Sequence, residues 1–261
     1  MKHESTITAA TRTEADIPVG GHAQLTNMAL AFGAMADCMN EPATSSTRLG
    51  VFYGPSGFGK SVGAAFAAAR FDAGYVEAKS IWTQRSLLTG LAEAIGIVRV
   101  EKTGPRILEQ LIEHLNEHPR PLIIDEMDYL VKKQMVDIIR DIHDATPIPI
   151  MMIGEEALPA KLKEWERFDN RILVHAAAQP ASDDDALKLR SHYCRKVEVA
   201  DDLALEFRRS CAGVTRRIVT NLTRAQRAAL ADGVLSIDLA WWGDRRIENG
   251  ALPARRVGGR R

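Results

Sequence analysis

The stretch LGVFYGPSGFGKSVG, residues 49–63, decides the fold. Its first five residues are mostly apolar and predict a buried strand, and the small residues after Lys60 continue into an alanine-rich run that predicts a helix. Between the two, residues 54–61 match the pattern G-x-x-x-x-G-K-[ST] at every fixed position. A buried strand, a glycine-rich loop and a helix in this order predict a phosphate-binding loop, or P-loop.

The residue types in this loop suit a nucleotide. Glycines allow consecutive backbone N–H groups to curve around phosphate oxygens, and the N-terminus of the following helix adds a favourable dipole. Lys60 is expected to reach the β- and γ-phosphates of ATP, and the Ser61 hydroxyl is expected to ligate Mg²⁺. The residues predicted to contact the nucleotide here are Gly54, Pro55, Ser56, Gly57, Phe58, Gly59, Lys60, Ser61 and Val62.

A second motif, PLIIDEMD at residues 121–128, has the form of a Walker B strand, an apolar strand that ends in acidic residues. Asp125, at the end of the strand, is predicted to hold Mg²⁺ directly or through water. Glu126 is placed to orient or deprotonate an attacking water. Asp128 is interpreted as a helix N-cap without a catalytic role. Together the two motifs predict an enzyme that hydrolyses ATP to ADP and phosphate.

Apolar runs alternate with helical patterns from the first strand onward. Five predicted strands are separated by helices, including single helices over 128–145 and 157–168, and this order predicts a parallel α/β sheet with helices on both faces. After Pro180 the strand pattern stops and helical patterns continue. The predicted domains are a flexible N-terminal arm at 1–21, an α/β nucleotide-binding core at 22–178, a small all-α lid at 179–248 and an arginine-rich tail at 249–261.

Composition and charge narrow the class of protein. The 34 basic and 34 acidic residues balance, yet from Glu206 onward 12 arginines face five acids, and the planar arginine group suits phosphate. No apolar run approaches the roughly 20 residues that cross a bilayer, and the N-terminus lacks the apolar core of a secretory signal. The three cysteines have no metal-ligand spacing and are interpreted as buried or idle thiols, so the cytoplasm is the expected compartment.

The adjacent Asp125 and Glu126 resemble the pattern of AAA+ ATPases, and this resemblance implies three further residues. Glu155 follows the fourth strand at the sensor 1 position, where Asn or Thr is commoner. Arg171, with Arg167 as the second choice, stands just before the fifth strand, where the family carries an arginine finger that acts on a neighbouring subunit. Arg216, in Gly213-Val214-Thr215-Arg216, stands at the sensor 2 position of the lid. A finger acting between subunits implies a homo-oligomer.

Within the AAA+ class, the chain is similar to the transposition ATPases, the group of phage Mu transposition protein B, TniB and TnsC. The likeness rests on LGVFYGPSGFGKS, VEAKSIWTQRSLLTGLAEAIGI, LIIDEMDYL and GVTRRIVTNLTRAQRAA. It implies an ATP-dependent ring or helical filament on duplex DNA that delivers target DNA to a transposase or integrase and stimulates it. Phage Mu protein B has an N-terminal helix-turn-helix domain, and the leader here is too short for a comparable one.

Basic residues near the second strand and after the third are candidates for phosphate contacts in a DNA channel. Such contacts bind without reading bases and predict strongly salt-sensitive, sequence-indifferent affinity. Trp82, in the same region, is assigned to the core. The candidate DNA-binding residues are Lys79, Arg85, Arg99, Lys102, Arg106, Lys132 and Lys133.

Two other functions fit the same sequence. A helicase loader of the IstB/DnaC type would share the core and the affinity for DNA but engage a helicase. A nucleotide-gated signalling switch would share the fold without a nucleic-acid partner. The role of the arginine-rich C-terminus is open between DNA contact and contact with the transposase.

Overall fold

The computed structural model describes residues 25–250, and its centre is a five-stranded parallel sheet. The strand order is β2-β3-β4-β1-β5, and every neighbouring pair is parallel. This confirms the predicted α/β fold. The strands are β1 (Leu49–Tyr53), β2 (Gly74–Glu77), β3 (Leu122–Asp125), β4 (Ile150–Gly154) and β5 (Ile172–Ala177).

Helices cover both faces of the sheet, which is why the central strands are apolar without alternation. All residues of β3 and β4 are buried. In β3, Ile123 packs with α1 and α2, while Ile124 packs on the opposite face with α3, α4 and α6. The helices of this core are α1 (Thr26–Asn40), α2 (Lys60–Phe71), α3 (Gln84–Ala94), α4 (Gly104–Glu117), α5 (Met127–Lys132), α6 (Val136–Ala145), α7 (Leu158–Leu162) and α8 (Glu166–Asp169).

The prediction of single helices over 128–145 and 157–168 is wrong, since each segment forms two helices. The first break lies at Gln134, whose φ is +56°. In one continuous helix, Leu130 and Ile139 would point to opposite sides, because nine residues turn a helix by about two and a half turns. The break turns the chain, so both side chains pack in the same core.

Residues after the fifth strand form a mainly helical lid around a hydrophobic cluster of their own. A two-residue parallel pair, β6 (Glu198–Val199) with β7 (Ser236–Ile237), joins the helices, and strands this short leave no readable periodicity in a sequence. The lid helices are α9 (Asp183–Tyr193), α10 (Asp201–Ser210), α11 (Thr215–Ala231) and α12 (Leu239–Trp242). The predicted arm at 1–21 and residues 251–261 of the predicted tail lie outside the described residues.

The side chain of Asn27 joins the P-loop to the segment that connects core and lid. Its Nδ2 donates to the carbonyls of Phe58 and Gln179, each at 2.7 Å, and its Oδ1 accepts the Gln179 N–H at 2.8 Å. The residue is buried, so these bonds are shielded from water. The first turn of α1 therefore sets where the P-loop stands relative to the start of the lid.

Asp185 makes a second link between α1 and the lid. Its Oδ2 accepts the Ser182 N–H at 3.0 Å, and Ser182 Oγ accepts the Asp185 N–H at 3.0 Å, forming a capping box at the start of α9. Its Oδ1 accepts the Thr26 N–H at 2.9 Å. Burial favours the neutral acid, but the N–H donors of Ser182 and Thr26 outweigh it and lower the pKa of Asp185.

We expect Asp185→Asn to lower the free energy of unfolding at pH 7 by about 1–3 kcal/mol, because a buried carboxylate that accepts two N–H hydrogen bonds is replaced by an amide whose NH2 group also needs an acceptor. A carboxyl whose pKa is lowered by folding contributes stability above its unfolded pKa of about 3.9, and that contribution is lost as the pH falls through the folded pKa. Urea unfolding at pH 7 and near pH 3 measures the difference.

The matched control is Asp184→Asn, which changes an exposed neighbour in the same helical turn that pairs only with Lys188. We expect little change from it. A destabilisation by Asp185→Asn that persists undiminished at low pH would contradict the assigned role of the Asp185 carboxylate.

Candidate functional site

The P-loop and the acidic residues after β3 meet at one edge of the sheet. Parallel strands bring their carboxyl ends to the same edge, and ligands of open α/β sheets bind in the crevice there. Here the ends of β1 and β4 lie side by side, and the Gly54 N–H donates to the Gly154 carbonyl at 3.3 Å. Asp125 ends β3, which is the next strand beyond β4.

The P-loop ends at the first turn of α2, whose free N–H groups suit an anion. Gly59 occupies the N-cap position with φ +84°, and no side chain caps this helix. Uncapped N–H groups and the helix dipole together favour a phosphate. Position 57 favours glycine for two reasons. Its φ of +85° is uncommon for other residues, and a Cβ there would lie 3.0 Å from Cγ1 of Val214 in the lid.

Lys60, the first residue of α2, folds back onto the loop. Its Nζ donates to the carbonyl of Gly54 at 2.6 Å and to that of Pro55 at 2.9 Å. Burial lowers the pKa of the Lys60 ammonium, while the nearby carboxylates, led by Asp125 and Glu126, favour its charged form. The Lys60 ammonium therefore lies on the P-loop, close enough to Asp125 and Glu126 to interact with their charges.

Asp125 is held by a hydrogen bond to each of its oxygens. It is 3% exposed; Oδ1 accepts the Glu126 N–H at 2.8 Å, and Oδ2 accepts the Tyr75 hydroxyl at 2.8 Å. Burial and this bond to Asp125 raise the pKa of Tyr75, so the phenol stays a donor. Sequence reasoning missed Tyr75, because only the register of β2 against β3 brings it to Asp125.

Glu126 adopts a left-handed backbone conformation directly after β3, with φ 57° and ψ 38°. Such a conformation is uncommon for a non-glycine residue and is held by the surrounding structure, often at functional sites. Burial, followed by the charges of Asp125 and Asp128, raises the pKa of Glu126. The site thus holds a carboxylate of increased basicity beside the acid that ends β3.

The interpretation of Asp128 as a helix N-cap is wrong. The chain turns at Glu126, so α5 begins at Met127 and Asp128 lies inside its first turn. Its Oδ2 accepts the Glu155 N–H at 2.7 Å and its Oδ1 accepts Lys161 Nζ at 2.6 Å. Asp128 therefore ties the loops after β3 and β4 together and fixes where Glu155, the sensor 1 candidate, leaves the sheet.

The lid reaches the P-loop through the start of α11. The Arg216 N–H donates to the Gly57 carbonyl at 3.0 Å, and Thr215 Oγ1 lies 3.4 Å from the Phe58 carbonyl. The Arg216 side chain is exposed. The structure thus brings the sensor 2 candidate to the loop, as a residue at the N-terminus of a helix that points towards it.

The two finger candidates lie at the opposite edge of the sheet. The Arg171 carbonyl accepts the Leu49 N–H at the start of β1. The Arg171 guanidinium binds Asp144 with two bonds, Nε to Oδ1 at 2.5 Å and Nη2 to Oδ2 at 2.6 Å, and it also donates to the Arg167 carbonyl. Arg167 is exposed and makes no ion pair with any residue between 25 and 250.

The candidate DNA-binding residues are all exposed and follow β2 or β3 along the chain. Lys133 Nζ donates to the Trp82 carbonyl at 2.7 Å, so the loops after these two strands are in contact. Gly104, between Lys102 and Arg106, faces Leu88 of α3. Trp82 is half-buried and packs on the core, as expected. Arg106 pairs with Glu109, a contact that is exposed and weakly stabilising.

Residues 43–162 match the family model described as "AAA domain". The match covers 120 of the 261 residues and includes the P-loop and the acidic pair after β3. A search of curated proteins finds no match.

Several solved structures share this fold. ORC2 of Aeropyrum pernix, solved as ADPNP–ADP complexes, is 16% identical with a TM-score of 0.64 over 81% of this chain and 64% of its own. ORC1 of the same organism, solved in complex with DNA, is 20% identical with a TM-score of 0.57 over 82% of this chain and 62% of its own. The Thermotoga maritima RuvB Holliday junction branch migration motor is 16% identical with a TM-score of 0.51 over 80% of this chain and 63% of its own. The chain thus spans less than two thirds of each.

The oxygen donors at the carboxyl edge fit Mg²⁺. Ser61, which carries a hydroxyl, is the second residue of α2, and the buried carboxylate of Asp125 ends β3. Mg²⁺ is commonly held by one or two such ligands together with phosphate and water. No group of three or more His, Cys, Asp or Glu residues with metal-binding geometry occurs in the described part of the chain. Protein ligands here would therefore complement a phosphate-bound ion.

We expect Tyr75→Phe to weaken Mg²⁺-dependent nucleotide binding, because the loss of its hydroxyl frees one oxygen of Asp125 from its orienting partner. Losing such a partner typically costs about 10-fold in metal affinity. The measurement is the Mg²⁺ concentration that gives half-maximal binding of a fluorescent ATP analogue. Tyr129→Phe, an exposed tyrosine on α5, is the control. An unchanged Mg²⁺ midpoint in Tyr75→Phe would contradict the role.

Proposed function

We propose that this protein is an ATPase that binds duplex DNA without sequence preference, assembles on it as a homo-oligomer, delivers it as target DNA and stimulates a transposase. The observation that carries the proposal is the meeting of P-loop, acidic pair and lid at one edge of the sheet, beside loops that present exposed cations. Solved structures of this fold include one of ADPNP–ADP complexes and one of a complex with DNA.

In this proposal the P-loop binds the phosphates of ATP through the N–H groups at the start of α2. Lys60 moves from the carbonyls of Gly54 and Pro55 to the phosphates, a short movement because its Nζ already lies on the loop. Arg216 reaches the nucleotide from the lid. Mg²⁺, when bound with ATP, supplies charge neutralisation at the phosphates, and Ser61 and Asp125 are the residues that would hold it.

Glu126 orients and deprotonates the water that attacks the γ-phosphate. Its position after β3 suits this role because it lies next to the proposed metal ligand but makes no side-chain bond among the described residues that would block it. Its raised pKa favours acceptance of a proton. The conformation of Glu126 is held by the packing of Met127 and Leu130, which are both fully buried.

We infer that Arg167 is the better candidate for a finger acting between subunits. Three donor groups of Arg171 are already bound within the protomer, to Asp144 and to the Arg167 carbonyl. Arg171 then acts as a scaffold that fixes α8, the short helix that carries Arg167, against the end of α6. The exposed Arg167 is the side chain that a neighbouring subunit's nucleotide could meet.

The proposed DNA surface consists of the loops after β2 and β3 and the start of α4. Its cations are exposed, which suits contacts to phosphates, and phosphate contacts give weak sequence preference. Ile81, in the loop after β2, is 83% exposed and adds an apolar contact. The residues proposed to contact DNA are Lys79, Arg85, Arg99, Lys102, Arg106, Lys132 and Lys133.

The transposase partner rests on the resemblance to the transposition ATPases. A helicase loader of the IstB/DnaC type remains the second candidate, and a signalling switch without DNA the third. No helix among residues 25–250 is long and apolar enough to span a membrane. We propose action in a bacterial cytoplasm, on nucleoid DNA.

The first experiment is a mobility-shift assay with random-sequence duplex DNA, with ATP and without nucleotide. We expect ATP to promote DNA binding by the wild type. Glu126→Gln is expected to bind nucleotide normally but to hydrolyse it at least about 100-fold more slowly, and so to persist on DNA. Lys60→Ala is expected to lose ATP-promoted DNA binding. Absence of ATP-promoted duplex binding would exclude the transposition proposal. Stimulation of a cognate integrase, compared with loading of a helicase, separates the first candidate from the second.

The second experiment assigns the finger by mixing variants. We expect Arg167→Ala to lower hydrolysis by about 100-fold or more in the DNA-bound assembly and not in dilute protomers, because fingers supply charge across an interface. Mixing Arg167→Ala with Lys60→Ala subunits should restore part of the activity, since one has an intact nucleotide site and the other an intact finger. Lys163→Ala, an exposed cation nearby, is the control.

Arg171→Ala is expected to lower the melting temperature, because it removes a bidentate ion pair, whereas Arg167→Ala is expected to leave it unchanged. If Arg171→Ala instead keeps full stability and its mixture with Lys60→Ala restores hydrolysis, Arg171 is the finger and the assignment to Arg167 is wrong.

A further inference from the structure

Helix α11 presents an exposed basic face, of which the proposed nucleotide site uses only Arg216 at the N-terminal end. The helix sequence, TRRIVTNLTRAQRAALA, contains four arginines and no acidic residue. Each of these arginines is exposed, while the buried side of the helix packs in the lid core through Ile218, Leu222 and Ala225. We define the α11 basic face as Arg216, Arg217, Thr220, Thr223, Arg224 and Arg227.

These six residues share one side of the helix. With about 100° per residue, positions 216, 217, 220, 223, 224 and 227 fall within an arc of about 120°. The face runs for about 16 Å along the helix axis, since 11 residue steps separate its ends. It is therefore a continuous strip of cations and hydroxyls rather than scattered charges.

The cations of this face have no carboxylate partners among the described residues, in contrast to other arginines of the lid. Arg190 pairs with Asp201, Arg208 with Asp183, Arg209 with Glu206 and Arg245 with Asp232. Uncompensated charge at this density repels itself unless an anion neutralises it. The face is thus complementary to an extended polyanion.

Two neighbours extend the face at its N-terminal end. The Arg216 N–H bonds the P-loop carbonyl of Gly57. The Arg217 guanidinium lies against Gly250, the last residue that the structure describes.

We propose that the α11 basic face binds the phosphate backbone of duplex DNA as a second nucleic-acid contact, separate from the loops after β2 and β3. The proposal deepens and rests on the proposed function. Planar guanidinium groups form two-pronged bonds with phosphate. The hydroxyls of Thr220 and Thr223 donate to the carbonyls of Arg216 and Val219 within the helix, so the arginines are the donors that the face offers. Over about 16 Å a duplex presents about nine charges, which exceeds the four that the helix offers.

A basic face on the lid helix that bonds the P-loop also couples DNA binding to nucleotide binding. Because the same helix bonds the P-loop, a change in lid position on ATP binding moves the basic face with it. DNA bound there favours the lid position that places the face against its phosphates, and by linkage ATP affinity rises by the same factor as DNA affinity.

The test is the double variant Arg224→Ala/Arg227→Ala, which lies away from the P-loop end of the face. We expect its duplex affinity to fall by about 10-fold or more near 0.1 M salt, and the slope of log affinity against log salt to become shallower by about 1.8, which corresponds to two lost phosphate contacts. ATP binding without DNA is expected to stay unchanged. Alanine is a strong helix former, so α11 is expected to fold normally.

The matched control is Arg209→Ala/Arg246→Ala, which removes two lid arginines that carboxylates already balance, with the same change in net charge. We expect its salt slope to match that of the wild type. If both double variants lost the same amount of duplex affinity, the loss would reflect the change in net charge alone, and the proposal would be overturned.

Three further outcomes are decisive. If Arg224→Ala/Arg227→Ala binds duplex normally while Lys132→Ala/Lys133→Ala does not, the proposed function stands and the α11 contact is wrong. If Arg224→Ala/Arg227→Ala loses ATP-promoted self-assembly measured without DNA, the face contacts another copy or an acidic protein surface and the proposal is overturned. If the wild type binds no duplex, both proposals fail.

Discussion

Parallel pairing of the five strands is the constraint on which the rest of the structure depends. Because all strands run the same way, the P-loop after β1, the acidic pair after β3 and Glu155 after β4 are delivered to one edge without any long connection. The register between neighbouring strands then decides which side chains meet across the sheet. Tyr75 meets Asp125 only because β2 pairs beside β3, and the proposed metal ligand is oriented as a consequence.

A second level of organisation joins this edge to the lid. Buried Asn27 holds the Phe58 carbonyl and the segment at Gln179 together, and Asp185 holds the starts of α1 and α9 together. The N-terminus of α11 completes the connection at Gly57. Two of these contacts hold the P-loop directly, at Phe58 and at Gly57, and the third holds α9 to α1, so movement of the lid has to change at least one of them. This is a physical basis for communication between nucleotide and lid.

Much of the fold followed from patterns in the sequence, and the exceptions have identifiable causes. The strands and the P-loop were predicted because burial on both faces and glycine spacing are local signals. The division of 128–145 into two helices was not, because each half is a good helix on its own and the break serves packing of Leu130 and Ile139 against one core. Asp128 was misassigned because the turn at Glu126 places the N-cap of α5 two residues earlier than predicted.

The sequence by itself determined the chemistry that this protein can carry: the P-loop pattern, the Asp125–Glu126 pair and the surplus of arginine after residue 206 are all local or compositional. Only the tertiary structure decided which of these groups act together. It engaged Arg171 with Asp144, left Arg167 exposed and brought Tyr75 to Asp125. Which side chains contact each other depends on distances across the fold. For residues far apart in the chain, the sequence alone does not contain these distances.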